Sequence, residues 1–147
     1  MQVHLGPRHE MGDLRFLEIG LDIEVLDRHQ RGKALAGRDE ERALVITDSV
    51  FSTDGALAPV RRLHEVCRRH RALLLVDEAH GLGVRGAGGR GLVHEAGLAG
   101  EPDIVVTTTM SKSLGSQGGV VLGPIAVRDH LIDAARTFIF DTGLTPA

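Results

Sequence analysis

Lys112 stands in the run Thr107-Thr-Thr-Met-Ser-Lys-Ser-Leu-Gly115, with no other charge for several residues on either side. Surface lysines normally have charged neighbours. A lysine amine taken out of water gives up its proton more readily and can act as a nucleophile or Schiff-base former. An exposed loop lysine is the plainer reading of the same residues. Asp77 closes the apolar run Leu73-Leu-Leu-Val76. A carboxylate there is costly to bury without a cationic partner. The partner could be an arginine, or a protonated ring nitrogen whose electron-withdrawing character the carboxylate preserves. A helix cap is the alternative role. His80, three residues on, could hydrogen-bond a ring oxygen, or be an ordinary loop histidine. Thr109 and Ser111 place hydroxyls beside the lysine, and Gly115, Gly118 and Gly119 allow close backbone approach. Hydroxyls and bare amides suit a phosphate; a polar turn between strands also fits. Together, an aspartate at one strand end and a lysine about 35 residues later look like a pyridoxal phosphate site.

These residues need strands to carry them. Ala43–Thr47, Leu73–Val76, Ile104–Thr108 and Gly119–Leu122 are short apolar, β-branched runs and read as strands. Between the first two, Ser52–Gly55 reads as a loop and Pro59 suits the first turn of a helix. Val60, Leu63, Val66 and Cys67 then recur at helical spacing, with five arginines mostly on the other face. Leu92–Ala96 reads as a short helix. Val127–Ala135 reads as another, with Val127, Leu131, Ile132 and Ala135 on one face. Phe138–Phe140 reads as extended. Apolar strands alternating with amphipathic helices predict an α/β fold with a mostly parallel sheet. Such sheets bind ligands at the carboxyl ends of their strands, where Asp77 and the lysine segment fall. Residues 1–42 are the least readable part, with many charges and a weak helical pattern from Phe16 to Leu26.

Two motifs mislead. Gly81-Leu-Gly-Val-Arg-Gly86 satisfies G-x-G-x-x-G, but Ala-Gly-Gly-Arg-Gly follows it and cannot open a helix, as a dinucleotide fingerprint requires. Asp77-Glu-Ala-His80 spells a helicase motif, yet the only Gly-Lys pair, Gly32-Lys33, lacks the rest of a phosphate loop. Composition disfavours nucleic acid as well. Net charge is −3, and there is no Trp or Tyr among 147 residues. The eight histidines are scattered without metal-ligand spacing and read mostly as surface residues, so no metal is expected. Cys67, the single cysteine, reads as a buried structural thiol in a reducing cytoplasm. The longest apolar run, Ala72–Val76, is far short of the roughly 18 residues that span a bilayer. The start shows no signal-peptide pattern, so a cytoplasmic protein without membrane attachment is expected. Glycine is the anomaly, at 19 of 147 residues. Six of the residues from Gly81 to Gly91 are glycine.

The segments TDSVFSTDGALAPV, LLLVDEAHGLGVRGAGGRG, TTTMSKSLGSQGGVVLG and FIFDTGLTPA resemble the α-oxoamine synthases. These are fold-type-I pyridoxal phosphate enzymes that condense an amino acid with an acyl thioester. The resemblance runs from about Arg38 to Ala147. It implies a partial cofactor-binding large domain over 38–147, and leaves 1–37 unassigned. It implies that Lys112 attaches the cofactor, Asp77 pairs with the pyridine nitrogen and His80 with the ring hydroxyl. It places Ser52 and Thr109 against the cofactor, and Thr142 toward the cofactor phosphate of a partner subunit in a homodimer. The branch most resembled joins L-alanine to a pimeloyl thioester, carried on coenzyme A or a carrier protein, with loss of CO₂, in biotin biosynthesis. Other branches (aminolevulinate, 2-amino-3-ketobutyrate or serine palmitoyl type) are the alternatives, as is a non-catalytic remnant or assembly partner. Family members are much longer. Their phosphate loop, ring-stacking histidine and carboxylate-gripping arginine find no match here, so a fragment with the family core is expected.

Overall fold

The computed structural model describes residues 35–39 and 41–135 in full, and the backbone of 4–5, 9–11 and 14–20. The strands are β1 (His4–Leu5), β2 (His9–Met11), β3 (Leu14–Gly20), β4 (Arg42–Asp48), β5 (Ala72–Asp77), β6 (Ile104–Thr109) and β7 (Gly119–Leu122). The helices are α1 (Val60–Arg69), α2 (Leu92–Glu95) and α3 (Ile125–Ala134).

All the strands lie in one sheet, in the order β1-β3-β4-β5-β6-β7, with β2 also on β3. The centre, β3-β4-β5-β6, is parallel, and β7 runs antiparallel to β6. The predicted mostly parallel α/β sheet is therefore observed. The weak helical pattern at Phe16 is overturned, because Leu14–Gly20 is a strand paired to β4 with Phe16 opposite Arg42. Pairing with an adjacent parallel strand outweighs a short, weak period. Phe138–Phe140 and Thr142 lie outside the described residues.

Burial follows the alternation of the strands. On β5, Ala72, Leu74 and Val76 are buried, and Glu78 just beyond the strand is buried as well. The expected face of α1 (Val60, Leu63, Val66 and Cys67) joins Ala43, Val45, Leu74 and Val76 in the core. His64 is buried on that same helix, an exception among histidines expected to be mostly surface residues. Its Nε2 lies 2.8 Å from Asp103 Oδ1. A partner on a distant loop explains the burial, since a buried polar ring needs one.

At the end of the strand order, β7 is less covered. Val121 and Leu122 are exposed. Along α3, Val127, Leu131 and Ala135 are half-buried, but Ile132 is exposed rather than covered. These residues line a groove of about 1290 Å³ between β7 and α3. No helix among the described residues is long and apolar enough to cross a membrane.

Candidate active site

The parallel register aligns the carboxyl ends of three strands. Asp48 on β4, Asp77 on β5 and Thr107 on β6 form one row across the sheet. Asp77 is half-buried. Its Oδ1 accepts the Ala79 amide at 2.7 Å, which turns the chain toward His80. Its Oδ2 accepts the Thr107 hydroxyl at 3.1 Å. No salt bridge among the described residues reaches it. Of the roles open to Asp77, the arginine pair is therefore absent from the described residues, and a local turn-capping bond is present.

Lys112 lies in the loop joining β6 to β7. This connection is a hairpin, closed by Met110 N–H to Gly118 O at 2.9 Å and Ser116 N–H to Met110 O at 2.9 Å. The hairpin meets the loop that follows β5. Lys112 is exposed, and its Nζ lies 2.9 Å from His80 Nε2. Next to it, Ser113 donates to the Leu82 carbonyl at 2.6 Å. A β-carbon on Gly83 would stand 2.5 Å from Ser113 Oγ, so glycine there permits the close approach of the two loops.

The hydroxyls of Thr109 and Ser111 meet at 2.7 Å, and Thr109 also takes the Ser111 amide at 3.2 Å. Thr109 further reaches the Gly118 carbonyl at 3.4 Å. This cluster of hydroxyls and exposed glycines borders the lysine hairpin. Ser52 is exposed in the turn after β4, with no hydrogen bond to the other candidates among the described residues. Lys112, His80, Thr109 and Ser111 are thus gathered on one hairpin and the loop it touches, with Asp77 three residues before His80.

Sequence reasoning missed three contributors. Thr107 as the donor to Asp77 becomes visible only through the β5–β6 register. Ser113 reads as one more small residue until its bond to Leu82 is seen. Glu78 reads as one residue of the tetrapeptide Asp77–His80 until its burial, at 2% exposure, is seen. Away from this site, His64, Glu101 and Asp103 bring ligand-type atoms within 4.8 Å of one another. Asp103 is already bonded to His64 and lies 3.8 Å from Arg68 Nε, the arrangement of a charge cluster. Burial, with Asp103 nearby, pushes the Cys67 thiol up to about 12, as befits a structural thiol rather than a nucleophile.

Residues 21–147 match the family model of aminotransferase class I and II, and the chain belongs to that family. The expected fold-type-I architecture is therefore the observed one. Over 114 residues the chain is 85% identical to the 8-amino-7-oxononanoate synthase of Mycobacterium avium (strain 104), which covers 78% of this chain and 30% of that protein. Among solved structures, a serine palmitoyltransferase variant from S. paucimobilis with bound PLP and myriocin is 34% identical with a TM-score of 0.73, covering 80% of this chain and 31% of that one. The 8-amino-7-oxononanoate synthase of Francisella tularensis is 29% identical with a TM-score of 0.63, covering 76% and 32%. The chain spans about 30% of the length of the curated relatives it matches.

Proposed function

We propose that this chain carries the cofactor-anchoring part of a pyridoxal-phosphate-dependent synthase that condenses L-alanine with a pimeloyl thioester, releasing CO₂ and giving 8-amino-7-oxononanoate. The supporting observation is the Lys112–His80 pair beside Asp77, in a chain 85% identical to a protein of that name. That identity favours this reading over the serine palmitoyl type, whose solved structures stand near 35%.

The residues fit the cofactor. Asp77 has two local donors and no ion pair among the described residues, so one carboxylate can hold a pyridinium N–H. His80, at the start of the glycine loop, would face the ring hydroxyl. Thr109 and Ser111 would hold the phosphate with their hydroxyls, and Ser52 would add a further contact. Lys112, exposed at the hairpin tip, would attach the cofactor and then move a proton at the amino-acid α-carbon. When bound, pyridoxal phosphate supplies a ring that accepts the electron pair left by that proton. Thr142, outside the described residues, would act across a homodimer interface. The division at Arg38, into an unassigned leading segment and the cofactor-binding part, belongs to this proposal, as does a cytoplasmic setting.

The test is direct because the sequence holds only two lysines, Lys33 and Lys112. Pyridoxal phosphate is added to the purified chain, reduced with borohydride and mapped by mass spectrometry. An adduct confined to Lys112 supports the assignment; labelling of Lys33 alone overturns it. Product formed from L-alanine with pimeloyl-coenzyme A or pimeloyl carrier protein would identify the carrier. Tight association with a full-length synthase, with no adduct, would favour the assembly-partner reading.

A further inference from the structure

Glu78 is a carboxylate with 2% exposure at the end of β5, on the face opposite Asp77. One oxygen, Oε1, accepts the Val93 amide of α2 at 2.7 Å. The other, Oε2, has no hydrogen-bond partner among the described residues, and neither does Ser49 Oγ, which is fully buried. Both atoms crowd the same spot. A β-carbon on Gly81 would lie 1.9 Å from Glu78 Oε2 and 2.5 Å from Ser49 Oγ. From the other end of the loop, a β-carbon on Gly91 would lie 2.8 Å from the Glu78 carboxyl carbon. The glycine loop is therefore wrapped around this carboxylate, and only residues without side chains fit at both contacts.

We propose that Glu78 is a positioning residue of the site: its carboxylate, held by Val93 N–H and facing Ser49, fixes the loop from Ala79 to Gly91 so that His80 meets Lys112. The backbone makes the connection continuous. Glu78 N–H binds Thr107 O at 2.7 Å, and Glu78 O takes the Gly81 and Leu82 amides at 3.0 and 2.8 Å. Leu82 in turn accepts the Ser113 hydroxyl, next to Lys112. A shift of the carboxyl group moves Gly81, then Leu82, then the hairpin. What matters is shape and hydrogen bonding, since an amide can accept from Val93 and donate to Ser49 in the same space.

This inference deepens the proposed cofactor role, and its test separates the two. Imidazole ¹⁵N NMR of His80 reads the contact with Lys112 without any cofactor; Lys112→Ala defines the signature of its loss. Glu78→Gln is expected to keep the wild-type His80 signature. Glu78→Ala and Glu78→Asp, which withdraw the group from Val93, are expected to reproduce the Lys112→Ala signature. In the same variants the borohydride-trapped adduct at Lys112 is expected to fall about tenfold, as a misplaced loop implies, and to be kept in Glu78→Gln. Where Glu78→Ala does not fold, Glu78→Asp carries the comparison. A folded Ala or Asp variant with an unchanged His80 signature overturns the positioning role. A signature that follows Glu78, with no adduct even in the wild-type chain, upholds it and rejects the cofactor reading instead.

Discussion

Thr107 donates its hydroxyl to Asp77 Oδ2 from the neighbouring strand at 3.1 Å, so the carboxylate is oriented by the sheet as well as by its own turn. Thr107→Val removes this donor while keeping a β-branched residue in β6. The expected result is a loss of about 1 kcal/mol in urea unfolding and weaker cofactor uptake in a pyridoxal phosphate titration. Thr107→Ser retains the donor and should lie close to the wild-type chain.

The glycine loop makes a second prediction about space rather than chemistry. Gly81→Ala drives a methyl into the Glu78 carboxyl. Gly91→Ala meets the same group and also holds alanine at φ +94°. Gly100 has φ +87° but nothing within 4 Å of a β-carbon. Gly100→Ala is thus expected to cost only the left-handed backbone strain of about 1–2 kcal/mol. Gly91→Ala should cost that strain plus an overpacking cost of about 1–3 kcal/mol. Denaturant midpoints should fall in the order Gly100→Ala above Gly91→Ala.

Cys67 predicts a pH dependence. Its thiol has an ordinary value of 9.0 and is raised to about 12 in the folded chain, chiefly by burial and then by Asp103. Above about pH 9 the unfolded chain has lost this proton while the folded chain keeps it. Stability from this group is therefore complete below pH 9 and declines between 9 and 12. Unfolding measured across this range should show a slope that Cys67→Ala reduces. A thiol reagent at neutral pH should modify Cys67 only as fast as the chain opens.

His64 and Asp103 link α1 to the loop before β6. Asp103→Ala leaves a buried imidazole without its partner and is expected to destabilise by about 1.5–3 kcal/mol. Asp103→Asn keeps an acceptor for the ring and should cost less. Thermal unfolding of the two variants makes the comparison.

Much of this site could be read from residue types. Strands β4 to β7 follow apolar β-branched runs, and Asp77, His80 and Lys112 stand at or just beyond strand ends, where ligands bind in parallel sheets. What escaped depended on register or distance. Thr107 looks like its neighbours Thr108 and Thr109 until β5 is laid beside β6. His64 looks like a surface residue until Asp103, 39 positions away, is brought to it. Glu78 belongs to a familiar tetrapeptide, and only packing shows that the glycines are spaced to surround it. The strand at Leu14–Gly20 has only a weak helical period in its sequence, which carries no information about the partner that β4 provides.

The β6–β7 hairpin also sets an order of assembly. The hairpin that carries Lys112 closes through contacts between residues close in sequence, and hairpins of this kind form in microseconds, whereas its contact with His80 joins residues 32 positions apart. The Asp77 row needs two parallel crossovers, β4 to β5 and β5 to β6, each of which must close a long loop before any pairing is gained. Completion of the site in a newly made chain is therefore timed by the crossovers, with the lysine already waiting on a locally formed turn.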